Sequence, residues 1–235
     1  MILSIITPVL NGERFIRKNI ESIQNLKVPH EHIIVEGGSS DSTVEILQDY
    51  PHLKIINQNE RNGMYGAIAQ GFSEAHGDLI TWINCDDFIN TEEYEKMVRK
   101  MMEVGVDVIY SDAYFDYINE ERKEIIKANR FPKYFLRRGY LPFVQPTSIY
   151  RKKFYDKIGG LNIEFKIAGD LELFVRMGQD NDSRFYKYDG VTVHFIKYGE
   201  SLGDRNVEKY LAEKEKIQTK QSSFITRALF KITKI

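Results

Sequence analysis

At 235 residues the chain is long enough for one large domain with a sizeable core. A net charge of −1 excludes a general grip on nucleic acid, and 42% hydrophobic with 29% charged residues is the balance of a water-soluble globular protein. The single cysteine, Cys85, excludes an internal disulfide and suits a reducing compartment.

The apolar start, Met1 to Ile6, lacks a basic leader and stops at Thr7-Pro8, so it is too short for a signal peptide. No apolar run approaches the length of a transmembrane helix, and the expected location is the cytoplasm. Leu3 to Val9 reads as the first strand, ended by Asn11-Gly12. Phe15, Ile16, Ile20 and Ile23 share one helix face, with Arg14, Arg17 and Lys18 outside. Ile33-Ile34-Val35 is β-branched and uninterrupted, a second strand buried on both faces. It runs into the turn Glu36-Gly37-Gly38-Ser39-Ser40-Asp41-Ser42-Thr43. Ser40 or Ser42 can cap the helix that follows, Ser42 and Glu45 have capping-box spacing, and Val44 and Leu47 supply its buried face. Leu53 to Ile56 is a third strand, and Gly63 to Ala75 a helix rich in small residues.

Leu79 to Ile83 is a fourth, core strand that runs into Asn84-Cys85-Asp86-Asp87. Asn90 and Thr91 start the next helix, whose buried face is Tyr94, Met97, Val98 and Met101. Val106 to Tyr110 is strand five. The alternation of strand and helix to this point predicts a mostly parallel sheet with covering helices. After Ser111 the rhythm changes: Ala113 to Tyr117 and Lys123 to Ile126 read as an antiparallel hairpin, and Phe131 to Pro146 as an aromatic, basic loop. Short helices follow at Phe154 to Ile158 and Leu171 to Met177, with strand-like segments from Phe185 to Phe195. Val207, Tyr210, Leu211 and Ile217 mark a polar amphipathic helix. From Gln221, apolar Phe224, Ile225, Ala228, Leu229 and Ile232 alternate with cations. This tail is expected to pack on the domain or a second copy, or to lie on an anionic membrane.

Two adjacent carboxylates at the end of a core strand need a cation or a hydrogen-bonding ligand, unless one merely caps a helix. The carboxyl edge of an open α/β sheet is where ligands bind. The turn after strand two can hold a phosphate or be an ordinary βα turn; it is neither a Walker loop nor a dinucleotide fingerprint. Asp170 reads as a helix N-cap or a functional carboxylate, and His194 as a packed histidine or a metal ligand. Tyr65, Tyr140, Phe143 and Trp82 are core aromatics or platforms for a sugar ring, and Cys85 is a packed strand residue rather than a nucleophile.

From about residue 2 to 203 the chain resembles the family 2 glycosyltransferases. Ser4-Ile5-Ile6-Thr7-Pro8-Val9-Leu10-Asn11 is similar to that family's opening strand, and Glu36 to Thr43 to its Asp-Asp/Gly-Gly-Ser-x-Asp-Gly-Thr turn. Asn84 to Asp87 resembles its metal-binding Asp-x-Asp-Asp. Gln145 to Phe165, with Gly159-Gly160-Leu161, resembles the segment that leads to a catalytic Asp, here Asp170 after Ala168-Gly169.

The resemblance implies the GT-A fold: an α/β, Rossmann-like, mostly parallel mixed sheet flanked by helices, with a C-terminal helical extension. Residues 1–110 would form the nucleotide-sugar half, 111–203 the acceptor half and 204–235 the extension. It further implies inverting, metal-dependent transfer from a nucleoside-diphosphate sugar, a UDP-sugar first, to a saccharide or lipid-linked saccharide, in cell-surface polysaccharide or glycoconjugate synthesis. Asp87, with Asp86, would hold Mg²⁺ or Mn²⁺, with His194 as a further ligand; Asp86 serves the metal or the ribose. Thr7, Pro8, Val9, Glu36, Gly38, Ser39, Asp41 and Gly63 would line the nucleotide, Gln145 and Tyr140 the acceptor. Asp170 would be the general base. The location implied is cytoplasmic, including the inner face of the membrane.

The chain departs from the pattern at Glu36 and Asn84, where the family usually has Asp, at Gly37, which lacks a carboxylate, and at Ala69, where the family has Asn. These bear on donor identity. The Gln-x-x-Arg-Trp motif of processive synthases is missing, since Trp82 is the only tryptophan, so one sugar per acceptor is expected. A catalytically weak sugar-nucleotide binder of the same fold would share all these motifs. A nucleotidyltransferase would need a Gly-x-Gly-Thr-Arg type loop that Val9 to Arg14 does not supply.

Overall fold

Leu3–Val9 (β1) is buried along its whole length because it lies between two parallel partners, His30–Glu36 (β2) and Leu79–Trp82 (β4). Lys54–Asn57 (β3) adds outside β2, also in parallel. The computed structural model describes residues 1–59, 62–199 and 201–232, with backbone alone at 203 and 221–232. Crossover helices Ile16–Gln24 (α1), Thr43–Gln48 (α2) and Gly63–Ser73 (α3) connect these strands. Register places Val9 opposite Glu36 and Ile6 opposite Trp82, so β1, β2 and β4 all end on one edge of the sheet.

The second half extends the same sheet with mixed directions. Ile149–Arg151 (β8) lies antiparallel between β4 and Val108–Tyr117 (β6). Phe185–Lys197 (β9) runs parallel to β6, and Phe88–Ile89 (β5) closes the far edge against β9. Arg122–Ile126 (β7) folds back on β6 as the expected hairpin. Among the described residues the order is β3-β2-β1-β4-β8-β6-β9-β5. Only Ile83 to Asp87 separates β4 from β5, yet three strands lie between them. In a flat sheet four strand spacings are ~19 Å, nearly the full reach of that segment. The segment instead turns, with Asp87 N–H donating to Asn84 O at 3.0 Å, so the sheet must curl to bring its edge strand back. An irregularity in the β6–β9 pairing between Tyr110 and Ala113 supplies the bend.

That bend also explains why Val106 to Tyr110 and Ala113 to Tyr117, which read as separate strands, are one. β5 and β8 escape sequence reading because two or three residues carry no periodicity. The aromatic segment before Pro146 holds a short helix, Pro132–Leu136 (α5), and Gln145–Thr147 forms a 3₁₀ turn. Thr91–Val104 (α4) has the expected Asn90 cap and the expected buried face. α2 is capped differently: Ser42 makes no side-chain cap bond, and Asp41 Oδ1 and Glu13 Oε2 instead accept the N–H groups of Thr43 and Ser42. Its buried residues are Thr43 and Leu47, while Val44 faces solvent.

Lys152–Lys157 (α6) and Gly169–Gln179 (α7) cover the sheet near β8. Leu202–Arg205 (α8) straddles the expected boundary at residue 203, and Val207–Ile232 (α9) continues as one helix. Ile217 of α9 is buried with Phe165, Ala168, Leu171 and Val175. From Gln221 the expected helix continues to Ile232 within α9, and its side chains, which would form the amphipathic face, lie outside what is described. Among the described residues no helix is long and apolar enough to cross a membrane.

Candidate active site

Three loops leave the shared edge of β1, β2 and β4, and polar contacts lock the first two together. Gly37 N–H donates to Val9 O at 2.9 Å, and Asn11 N–H to Ser39 Oγ at 2.9 Å. Asn11 Oδ1 accepts Ser40 N–H, and Asp41 Oδ2 accepts Glu13 N–H. Glu36 turns back on its own loop, taking Gly38 N–H at 2.9 Å and Ser39 N–H at 2.6 Å. Burial pushes its carboxyl up, but the Ser39 and Gly38 bonds outweigh this and hold it below the usual range. Gly38 has φ +90°, a conformation that glycine adopts without strain.

The third loop carries the carboxylate pair. Asn19 of α1 reaches beneath it, and its Nδ2 donates to Asn84 O at 3.0 Å and Asp87 O at 2.8 Å. Asn19 in turn meets Thr7 Oγ1, which contacts His32 Nε2 at 2.9 Å. Thr7 therefore supports the loop from below. His32 is buried and pushed down to about 3, mainly by burial, so it is neutral.

Asp87 is 2% exposed. Its Oδ1 accepts Ile196 N–H at 3.0 Å, and its Oδ2 is buried without a partner. Burial, and then the charge of Asp86, raise its affinity for a proton well above normal. Burial raises Asp86 as well, against the Tyr198 hydroxyl that donates to Asp86 Oδ2 at 3.1 Å. Tyr198 packs on Phe15, with the Arg14 guanidinium over both rings. An orphaned buried oxygen beside a second carboxylate suits a hard cation, because Mg²⁺ takes one or two carboxylates and completes its shell with water and phosphate. Among the described residues no group of three histidine, cysteine or acidic side chains converges as a self-sufficient metal cage.

Asp170 sits in the first turn of α7, where Ala168, not Asp170, is the N-cap residue. Its Oδ1 accepts the Tyr65 hydroxyl at 3.1 Å and Leu171 N–H at 2.8 Å. Burial raises its pKa, and these two bonds only partly offset it. Tyr65 comes from α3, is 3% exposed, and packs its ring where Gly169 has no side chain: a Cβ there would lie 2.8 Å from Cδ2. One helical turn after Asp170, Phe174 stacks on Trp82 of β4 at 6.4 Å and 11°. That stack sets the start of α7 over the strand that leads to Asp86 and Asp87.

The remaining candidates are more scattered. His194 pairs with Phe88 across β9 and β5, stacks on that ring at 4.4 Å, and has Nδ1 engaged by Asp116 at 2.8 Å. Gln145 is buried and donates to Trp82 O at 2.9 Å. Tyr140 is exposed, with Lys214 Nζ 5.1 Å from its ring centroid. Gly63 opens α3 with φ +76°, and Pro8 and Val9 are buried in β1. Cys85 packs against Gly12, and burial beside Asp86 and Asp87 keeps it a thiol. Sequence reasoning missed Asn19, Tyr198 and the Tyr65–Asp170 bond. Asn19 alone carried a signal, as a polar residue on an otherwise apolar helix face.

A curled mixed sheet whose parallel strands end at an acidic pair defines a GT-A type glycosyltransferase fold. Solved structures match it: S. aureus TarS 1–349 in complex with UDP has a TM-score of 0.68 at 20% identity, covering 94% of this chain and 70% of that one. The mannosyltransferase PcManGT from Pyrobaculum calidifontis, in complex with GDP-Man and Mn²⁺, has a TM-score of 0.61 at 15% identity, covering 87% and 59%. The chain belongs to glycosyl transferase family 2, whose model matches residues 4–159. The uncharacterized glycosyltransferase YwdF of Bacillus subtilis is 27% identical over 192 residues, 77% of this chain and 69% of that protein. An undecaprenyl-phosphate 4-deoxy-4-formamido-L-arabinose transferase of Proteus mirabilis is 31% identical over 116 residues, 46% of this chain and 35% of that protein. The glycosyltransferase GlyA of Streptococcus pneumoniae is 27% identical over 116 residues, 48% of this chain, which spans 17% of GlyA's length.

Proposed function

We propose that this glycosyltransferase moves one sugar from a nucleoside-diphosphate sugar to an acceptor hydroxyl with inversion at the anomeric carbon. The observation that carries this is Asp170: a half-buried carboxylate with raised proton affinity, bonded by Tyr65 and set by the Phe174–Trp82 stack over the strand leading to the acidic pair. As the acceptor oxygen bonds to the anomeric carbon and the carbon–phosphate oxygen bond breaks, Asp170 takes the hydroxyl proton, and the nucleoside diphosphate leaves. Asp86 and Asp87 would hold Mg²⁺ or Mn²⁺, which when bound would neutralise charge on the diphosphate. Thr7, Pro8, Val9, Glu36, Gly38, Ser39, Asp41 and Gly63 shape the nucleotide side, within residues 1–110. Gln145 and Tyr140 belong to the acceptor half, and His194 of β9, whose Nδ1 is engaged by Asp116, would be a further ligand through Nε2.

UDP-sugars are the first donors to test, because the S. aureus TarS structures include complexes with UDP and UDP-GlcNAc. A lipid-linked acceptor agrees with the undecaprenyl-phosphate in the name of the P. mirabilis transferase, and surface-polysaccharide or glycoconjugate synthesis is the setting proposed for it. The test is a screen of UDP- and GDP-sugars with Mn²⁺, scored for nucleotide release, with the product anomer read by NMR. Turnover with the opposite anomer to the donor is expected. Nucleotide binding without turnover would make the chain a binding protein, and a retained anomer would remove Asp170 from the role of base.

A further inference from the structure

The helix expected to be an extension reaches into the catalytic half through one side chain. Glu213 of α9 is 7% exposed, and its carboxylate accepts three successive backbone N–H groups. These are Lys166 at 3.0 Å, Ile167 at 3.0 Å and Ala168 at 2.8 Å. Those residues form the final approach to Asp170. Successive N–H groups pointing into one concavity make an anion site, and here the protein fills it with its own carboxylate. The bonds hold the Glu213 carboxyl below its usual range despite burial, so it is charged at neutral pH.

The other contacts of this segment converge on the same point. Ile167 O accepts the Tyr65 hydroxyl that also bonds Asp170, and Ile217, one turn beyond Glu213, is buried against Ala168 and Leu171. Gln218 Nε2 donates to Gly139 O at 3.2 Å, fixing α9 on its other side.

We infer that Glu213 is a positioning residue for transfer: by gripping Lys166, Ile167 and Ala168 it fixes where the Asp170 carboxylate stands. This rests on the reading of Asp170 as the base. It makes α9 part of the catalytic apparatus.

The test uses full-length Glu213→Ala and Glu213→Gln, alone and combined with Asp170→Asn. Rates are measured with whichever of UDP-GlcNAc, UDP-glucose or GDP-mannose the wild-type chain turns over. Misplacing a reacting group by about 1 Å costs about 10²-fold, so Glu213→Ala should lower kcat by about that factor with donor KM unchanged. Glu213→Gln keeps one acceptor oxygen and should fall between; it also carries the test if the alanine variant does not fold. If Glu213 acts only through Asp170, the double variant should be no slower than Asp170→Asn. Multiplying losses, or Glu213 variants at wild-type kcat beside a slow Asp170→Asn, would overturn the inference while leaving the base assignment standing. Asp170→Asn at wild-type rate would instead sink the base assignment, and the inference with it.

Discussion

The Tyr65 hydroxyl lies 3.1 Å from Asp170 Oδ1, joining α3, the helix after β3, to α7 across 105 residues of chain. Tyr65 is buried and raised well above the ordinary tyrosine range, by burial first and then by the Asp170 charge, so it stays protonated and donates. The bond stabilises the ionised form of Asp170 and opposes burial, which favours the protonated form.

Tyr65→Phe keeps the ring against Gly169 and removes only the donor. Asp170 should then hold its proton to higher pH, and the acid limb of the kcat–pH profile should move up. The hydroxyl serves both the Asp170 carboxylate and Ile167 O, so its loss should cost about 1.5–3 kcal/mol of stability. An acid limb that stays in place would show that the bond does not tune the base.

Asp86 and Asp87 themselves should favour the folded state more in acid than at neutrality. Folding raises both pKa values, so the folded state holds protons that the unfolded state has released. Their contribution is fully present below the ordinary aspartate range and is lost as pH rises through the raised values. Asp87→Asn can still accept Ile196 N–H and carries no charge. Its melting temperature should match wild type in acid and exceed it at neutral pH. A variant that melts lower than wild type at neutral pH would contradict this.

The same pair should make nucleotide binding cation-dependent. Diphosphate and two carboxylates repel, so UDP should raise the melting temperature only together with Mn²⁺. Asp87→Asn should abolish the joint shift. An equal shift in the presence of chelator would remove the metal from the site.

Asn19→Ala would strand the Asp87 carbonyl and leave the Asn84 carbonyl with Asp87 N–H alone. One unsatisfied buried group costs about 1–3 kcal/mol, and a loss in that range is expected. Weaker Mn²⁺-dependent UDP binding should accompany it. Denaturant unfolding showing a loss under 1 kcal/mol would mean that the loop finds other donors.

The parallel half was legible because strand and helix periods alternate cleanly there, and the face of Tyr94, Met97, Val98 and Met101 is buried as read. The acidic pair and the turn at Glu36 were legible as chemistry out of place in a core. What was not legible depends on long-range contact. The two-residue β5 exists only because β9 pairs with it, and Tyr65 meets Asp170 only once the sheet has curled. α2 carried a capping-box pattern, yet Asp41 and Glu13 took the backbone N–H groups first. Local propensity is a weak prior where a neighbouring loop competes for the same donor.

The most direct measurement is kcat for Asp170→Asn with the donor and acceptor that support wild-type turnover. Asn can keep accepting from Tyr65 and Leu171, so fold, melting temperature and donor KM should stay close to wild type. It cannot take the acceptor's proton, and kcat should fall about 10²–10⁴-fold, the usual contribution of a general base. A folded Asp170→Asn protein that binds donor and transfers sugar at near wild-type kcat would contradict the central assignment.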